Sequence, residues 1–96
     1  MPFRIDVPTP VRKSLLARFQ SFPLREILEQ IRDRLPSEFA QGRQAPLPYT
    51  AGVKLLELQL WTSDGLFRVA VLYEAHEEDQ RLVLLDLGIL GTPGNS

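Results

Sequence analysis

Arg68 is the residue whose setting most suggests chemistry. It lies in Gly65-Leu66-Phe67-Arg68-Val69-Ala70-Val71-Leu72-Tyr73, where strict alternation sets Phe67, Val69, Val71 and Tyr73 on one side and Arg68, Ala70 and Leu72 on the other. The apolar side has no use for an arginine. A guanidinium on the opposite side is a planar fork of donors suited to an anion. The preceding segment alternates in the same way. Leu56, Leu58 and Leu60 share one side with Lys54, whereas Leu55, Glu57, Gln59 and Trp61 take the other. The sheet is therefore expected to have one greasy face and one face with a few polar groups, and the second is the first candidate for a site. The same pattern equally suits a solvated sheet arginine that stacks on Trp61 or pairs with Glu57.

These positions depend on a hairpin. Asp64-Gly65 is a two-residue turn signal, and as a two-residue loop it pairs Leu60 with Val69, Leu58 with Val71 and Trp61 with Arg68. A slip of two would change partners and keep the faces, since only an odd slip flips them. Strands are expected at 53–62, 65–74 and 81–90, with an acidic, exposed link from Ala75 to Gln80.

The first half of the chain reads differently. Phe3-Arg4-Ile5-Asp6-Val7 alternates up to Pro8, as a short edge strand does. Thr9-Pro10 has the form of a threonine N-cap followed by proline in the first turn. Val11, Leu15, Phe19 and Phe22 recur at near-helical spacing. A second helix begins at Pro23, with Leu24, Ile27, Leu28, Ile31 and Leu35 as its apolar stripe and Arg25, Glu26, Glu29, Arg32 and Asp33 as its wet face. Pro36 is expected to end or kink it, with Ser37 capping a further turn closed by Gly42. From Gly42 to Gly52, prolines and glycines predict a loop without regular structure. Gly91 to Ser96 reads as a disordered tail. The order of strand, helix, helix, loop and three strands predicts an α+β fold: an N-terminal edge strand, a two-helix hairpin, then a three-stranded antiparallel meander packed on the helices.

The chain has 96 residues, 44% of them apolar, which fits one domain spanning 1–96 with a modest core. It has no cysteine, so disulfides and thiolate metal sites are excluded. No apolar run is long enough to cross a bilayer, and Met1-Pro2-Phe3-Arg4 does not open a signal peptide; a cytoplasmic location is expected. The net charge of −1 does not by itself suggest nucleic acid. It is unevenly spread: residues 1–54 hold nine Lys/Arg and five Asp/Glu, and residues 55–96 hold two and seven. That polarity either presents a basic surface or reflects ordinary mixed-charge helix surfaces.

Leu56-Glu57-Leu58, Gly65-Leu66-Phe67-Arg68-Val69 and Leu82-Val83-Leu84-Leu85, in this order after a helical hairpin, resemble the RelE/ParE-like toxins of bacterial toxin–antitoxin pairs, in particular their phage-derived branch. The resemblance spans most of the chain and implies a RelE-like fold, an endoribonuclease that cuts ribosome-bound mRNA by attack of a ribose 2′-OH on phosphate, no cofactor, and a small antitoxin protein as partner, with the toxin a monomer or homodimer. In that chemistry Arg68 matches the family arginine and would stabilise charge on phosphate. Glu57 or Asp86 would act as base, and Lys54, Arg43 and Arg81 would contact the RNA backbone. The chain also departs from the family. Gln59 stands where a basic residue is usual, Asp86 lies near a frequent histidine, Gly88 near a common aromatic, and Gly91-Thr92 replaces a basic pair. These departures leave room for a non-catalytic binding module of the same fold.

Other candidates carry less. His76, the only histidine, lies in the acidic link and reads as exposed. Tyr73 has core parity, and Tyr49 suits a hydrogen-bonded loop or core position. One histidine among scattered carboxylates is no metal site. No phosphate-cradling glycine motif or nucleophile elbow is present.

Overall fold

Two helices lie on one side of a five-stranded mixed sheet. The structure is a computed structural model that describes residues 3–49 and 52–91. In chain order the elements are β1 (Arg4–Asp6), α1 (Thr9–Arg18), α2 (Leu24–Glu38), a 3-10 turn (Phe39–Gln41), β2 (Arg43–Gln44), β3 (Val53–Thr62), β4 (Gly65–His76), a second 3-10 turn (Glu77–Asp79) and β5 (Arg81–Gly91). The strand order is β1-β5-β4-β3-β2. β1 runs parallel to β5, and every other neighbouring pair is antiparallel. The class is therefore α+β, as the pattern predicts, but the meander is widened to five strands by an edge strand on each side.

The greasy side of the sheet is buried as the alternation requires. Leu58, Leu60, Phe67, Val69, Val71 and Tyr73 are all buried, and they meet Leu15 of α1 and Leu24, Ile27, Ile31 and Leu35 of α2. No polar or charged residue is buried among the described residues. β5 keeps its apolar residues on this side by a register shift. Leu72 faces Asp86 but Tyr73 faces Leu84, so Leu85 is extra. The bulge lets Leu82, Leu84 and Leu87 all reach the core despite their changed parity.

Several expectations need correction. The hairpin turn is Ser63-Asp64, with Thr62 paired to Gly65 and Gly65 at φ 116°. Leu60 therefore faces Phe67, Leu58 faces Val69 and Gln59 faces Arg68. The register differs by two residues from the one predicted, and the faces survive because two is even. The turn lies one residue earlier than Asp64-Gly65, and Gly65, as the first residue of β4, takes a positive φ that glycine tolerates.

Thr9 is the first residue of α1 and caps nothing; Pro8 precedes it, and its carbonyl accepts from Arg12 N–H at 2.9 Å. Pro36 sits inside α2, which continues to Glu38. Contacts on both sides of the proline hold this last turn. Arg34 and Glu38 pair across it at 2.9 Å, and the Phe39 ring beyond it packs against Phe3, tilted by 48° with 4.5 Å between centroids. Ser37 donates back to the Arg34 carbonyl at 3.0 Å instead of capping a turn. The predicted loop contains a strand after all: Arg43 and Gln44 pair with Leu55 and Lys54. Gly91 is the last residue of β5, and the rest of the predicted tail, 92–96, lies outside the described residues.

Candidate functional site

The side of the sheet opposite the helices carries the candidate site. Glu57 faces Ala70 across the β3–β4 ladder, and Ala70 in turn faces Gly88 of β5. That row is small beyond the carboxylate, and a Cβ at Gly88 would meet nothing within 4 Å. Two arginines flank the carboxylate diagonally. Arg43 faces Leu55, one same-face position along β3, and its Nη2 lies 3.1 Å from Glu57 Oε2. Arg68 faces Gln59, one same-face position the other way, and its Nη2 lies 3.7 Å from Glu57 Oε1. Diagonal neighbours on one face of an antiparallel pair are about 7–8 Å apart, within reach of an arginine.

All three groups are wet. The side chains of Arg43, Glu57 and Arg68 are 68%, 44% and 56% exposed. Ion pairs this exposed are worth about 0–1 kcal/mol, so an incoming anion displaces the carboxylate from either guanidinium at little cost. Two cations and one anion leave a net charge of +1 in the cluster. Around it the face is apolar: Leu55, Leu66 and Leu72 are half-buried, and Trp61 is 70% exposed.

The other expected site residues stand apart from this cluster. Asp86 is tied to α1: it accepts a hydrogen bond from Arg18 Nη2 and another from the Leu87 N–H at 2.8 Å. Lys54 faces Tyr73 across the ladder and shares the helix-facing parity of the core. Arg81 pairs with His76 at the far end of β4, eight residues from Arg68, or about 27 Å along a strand. There it pairs with Asp6 at 3.5 Å, and its buried Nε has no hydrogen-bond partner among the described residues. Of the six expected residues, the fold therefore gathers Arg43, Glu57 and Arg68. Arg43 owes its place to β2, a strand that no local pattern between Gly42 and Gly52 announces.

Tyr73 is placed by its hydroxyl as well as its ring. The hydroxyl donates to the Phe39 carbonyl at the end of the helical hairpin. Burial raises its pKa above the usual 10.0, and a hydrogen bond with the Gly42 backbone opposes this. His76 is half-exposed, 3.6 Å from Glu74. Among the described residues no group of three or more His, Cys, Asp or Glu is placed to hold a metal ion, and no helix is long and apolar enough to cross a membrane.

No family model matches the chain, and no curated protein matches it. The resemblance to RelE/ParE-like toxins therefore rests on the residues and their arrangement alone.

Proposed function

We propose that this chain is a RelE-like toxin that cuts ribosome-bound mRNA and is neutralised by a small antitoxin protein. The observation that carries this reading is the Arg43–Glu57–Arg68 cluster, exposed on the sheet face that the helices leave uncovered. In this reading Arg68 and Arg43 take the scissile phosphate in place of Glu57. Glu57, released, accepts the proton of the ribose 2′-OH as that oxygen attacks phosphorus. The bond from phosphorus to the 5′-oxygen breaks, leaving a 2′,3′-cyclic phosphate on one fragment. The departing 5′-oxygen takes its proton from solvent, since the cluster holds no second acid.

A second reading is a protein-binding module of the same fold without nuclease activity. Two observations favour it: Asp86 is engaged by Arg18, and the face around the cluster is rich in leucine with an exposed Trp61. Expression in a bacterial host separates the two. The nuclease reading expects growth arrest, broken translated mRNA, and relief of both by Arg68→Ala. A wild-type chain that is harmless and leaves translated mRNA intact eliminates it and leaves the binding module.

A further inference from the structure

β1 is an edge of the sheet, and its sequence is complementary to itself. Among the described residues no strand lies beyond it in the strand order. Its inner side is fixed by the register on β5, where Arg4, Ile5 and Asp6 face Arg81, Leu82 and Val83. The Arg4 N–H donates to the Gln80 carbonyl at 2.9 Å. In a parallel ladder that bond turns the backbone groups of Arg4 and Asp6 towards β5 and those of Ile5 outward. Among the described residues nothing bonds the Ile5 N–H or carbonyl. The edge of β3 differs, because Gln30 and Arg34 of α2 bond its backbone. An uncovered strand edge is a template for one further strand.

The charge order selects that strand. Phe3-Arg4-Ile5-Asp6-Val7 reads apolar, positive, apolar, negative, apolar. Read backwards, it keeps its apolar positions and exchanges its charges. A second copy laid antiparallel across a two-fold axis at Ile5 therefore meets its complement. The two Ile5 residues exchange both backbone hydrogen bonds, and Arg4 of each copy faces Asp6 of the other. Phe3, Ile5 and Val7, packed on the core but only partly buried, carry the apolar side across the joint. Other registers are penalised. Backbone direction admits only slips of two, and these set Arg4 against Arg4 or Asp6 against Asp6; like charges directly opposite are destabilising. Arg4 is 73% exposed, and its own pairing with Asp6, at 3.5 Å, opens at little cost. We infer that β1 is the interface between two copies of this chain, which join edge to edge into one continuous sheet. β2 and β3 stand at the other end of the strand order, so each copy keeps its Arg43–Glu57–Arg68 cluster open, and the inference is independent of the chemistry proposed there.

The test is sedimentation equilibrium of the full chain at concentrations up to about 1 mM, with amide hydrogen exchange read by NMR at the same concentrations. The wild-type chain is expected to pass from monomer to dimer, and the Ile5 amide to become protected in step with the dimer. Arg4→Ala weakens the association. Arg4→Glu, which sets Glu against Asp6 of the second copy, weakens it about tenfold or more. Sodium chloride weakens association of the wild-type chain and strengthens that of Arg4→Glu, since it screens attraction in one and repulsion in the other. Arg4 is exposed, and circular dichroism verifies the fold of both variants. The inference is overturned if the wild-type chain stays a monomer throughout, or if it dimerises while the Ile5 amide exchanges unchanged. It is equally overturned if Arg4→Glu associates as the wild type does, which would place the contact on another surface.

Discussion

Gln30 of α2 and Trp61 of β3 form a two-way amide pair: the Gln30 Oε1 accepts the Trp61 N–H at 3.2 Å, and its Nε2 donates to the Trp61 carbonyl. The pair is one rung of three. Glu26, one turn earlier, accepts from the Ser63 N–H at 3.2 Å and hydroxyl at 2.7 Å, and Arg34, one turn later, donates to the Gln59 carbonyl. Four residues of helix rise about 6.0 Å and two residues of strand about 6.6 Å, so a helix row runs in step with the outward backbone groups of a strand. β2 pairs only with Lys54 and Leu55, and further along this edge of β3 side chains of α2 cover the backbone of Gln59 and Trp61. An uncovered edge is a template for aggregation. Gln30→Ala is expected to cost about 1 kcal/mol in urea unfolding and to speed hydrogen exchange at the Trp61 amide. Unchanged exchange there contradicts the rung.

Gly42 is required by crowding, since its φ of −65° suits any residue. A Cβ at Gly42 would lie 2.0 Å from the Tyr73 hydroxyl, 2.9 Å from Tyr73 Cζ and 3.3 Å from Lys54 Cβ. Gly42→Ala is expected to destabilise by about 1–3 kcal/mol, as overpacking does. In a Tyr73→Phe background the hydroxyl is gone and the same substitution costs less, though not nothing, because Cζ remains. A double-mutant cycle in urea reads the coupling; additive costs contradict the contact.

Tyr73 also sets a pH dependence. Its pKa is raised in the folded chain, mainly by burial, so the unfolded chain releases this proton first. The stabilisation is fully present below pH 10 and is lost as pH rises from there through the folded pKa. Thermal unfolding followed from pH 8 to pH 11 is expected to show a steeper alkaline loss for wild type than for Tyr73→Phe. Parallel curves would falsify this.

Removing the charge of Glu57 separates binding from cleavage. Glu57→Gln releases Arg43 and Arg68 and raises the cluster from +1 to +2. Affinity for a single-stranded RNA oligonucleotide is expected to rise, with a steeper salt dependence, while cleavage falls by about 10²–10⁴-fold with loss of the base. Asp86→Asn, which disturbs the contacts of Asp86 with Arg18 and the Leu87 N–H and none in the Arg43–Glu57–Arg68 cluster, is expected to leave cleavage within about twofold.

How much of this the sequence shows depends on the range of the interaction. Alternation places Arg68 and Glu57 on one face without any knowledge of partners, because side-chain direction in a strand is local. The same parity marks Lys54 as facing the helices. The register of β3 on β4 turned on the conformation of one glycine, Gly65, and a turn dipeptide read as Asp64-Gly65 misplaces it. The pairing of Arg43 with Glu57 comes from a two-residue strand fixed by contact with β3 in a segment whose prolines argue for a loop. Asp86 looked available as a base because its partner, Arg18, lies 68 residues away. Pro36 predicts an end or a kink in α2, and the helix runs on past it to Glu38.

Whether the exposed guanidinium of Arg68 acts on RNA is read by primer extension on an mRNA translated in a purified bacterial system. New 5′ ends are expected within the translated region when wild-type chain is added, with loss of those ends for Arg68→Ala, and for Glu57→Gln despite tighter RNA binding. Intact mRNA with the wild-type chain, or undiminished cutting by Arg68→Ala, contradicts that action.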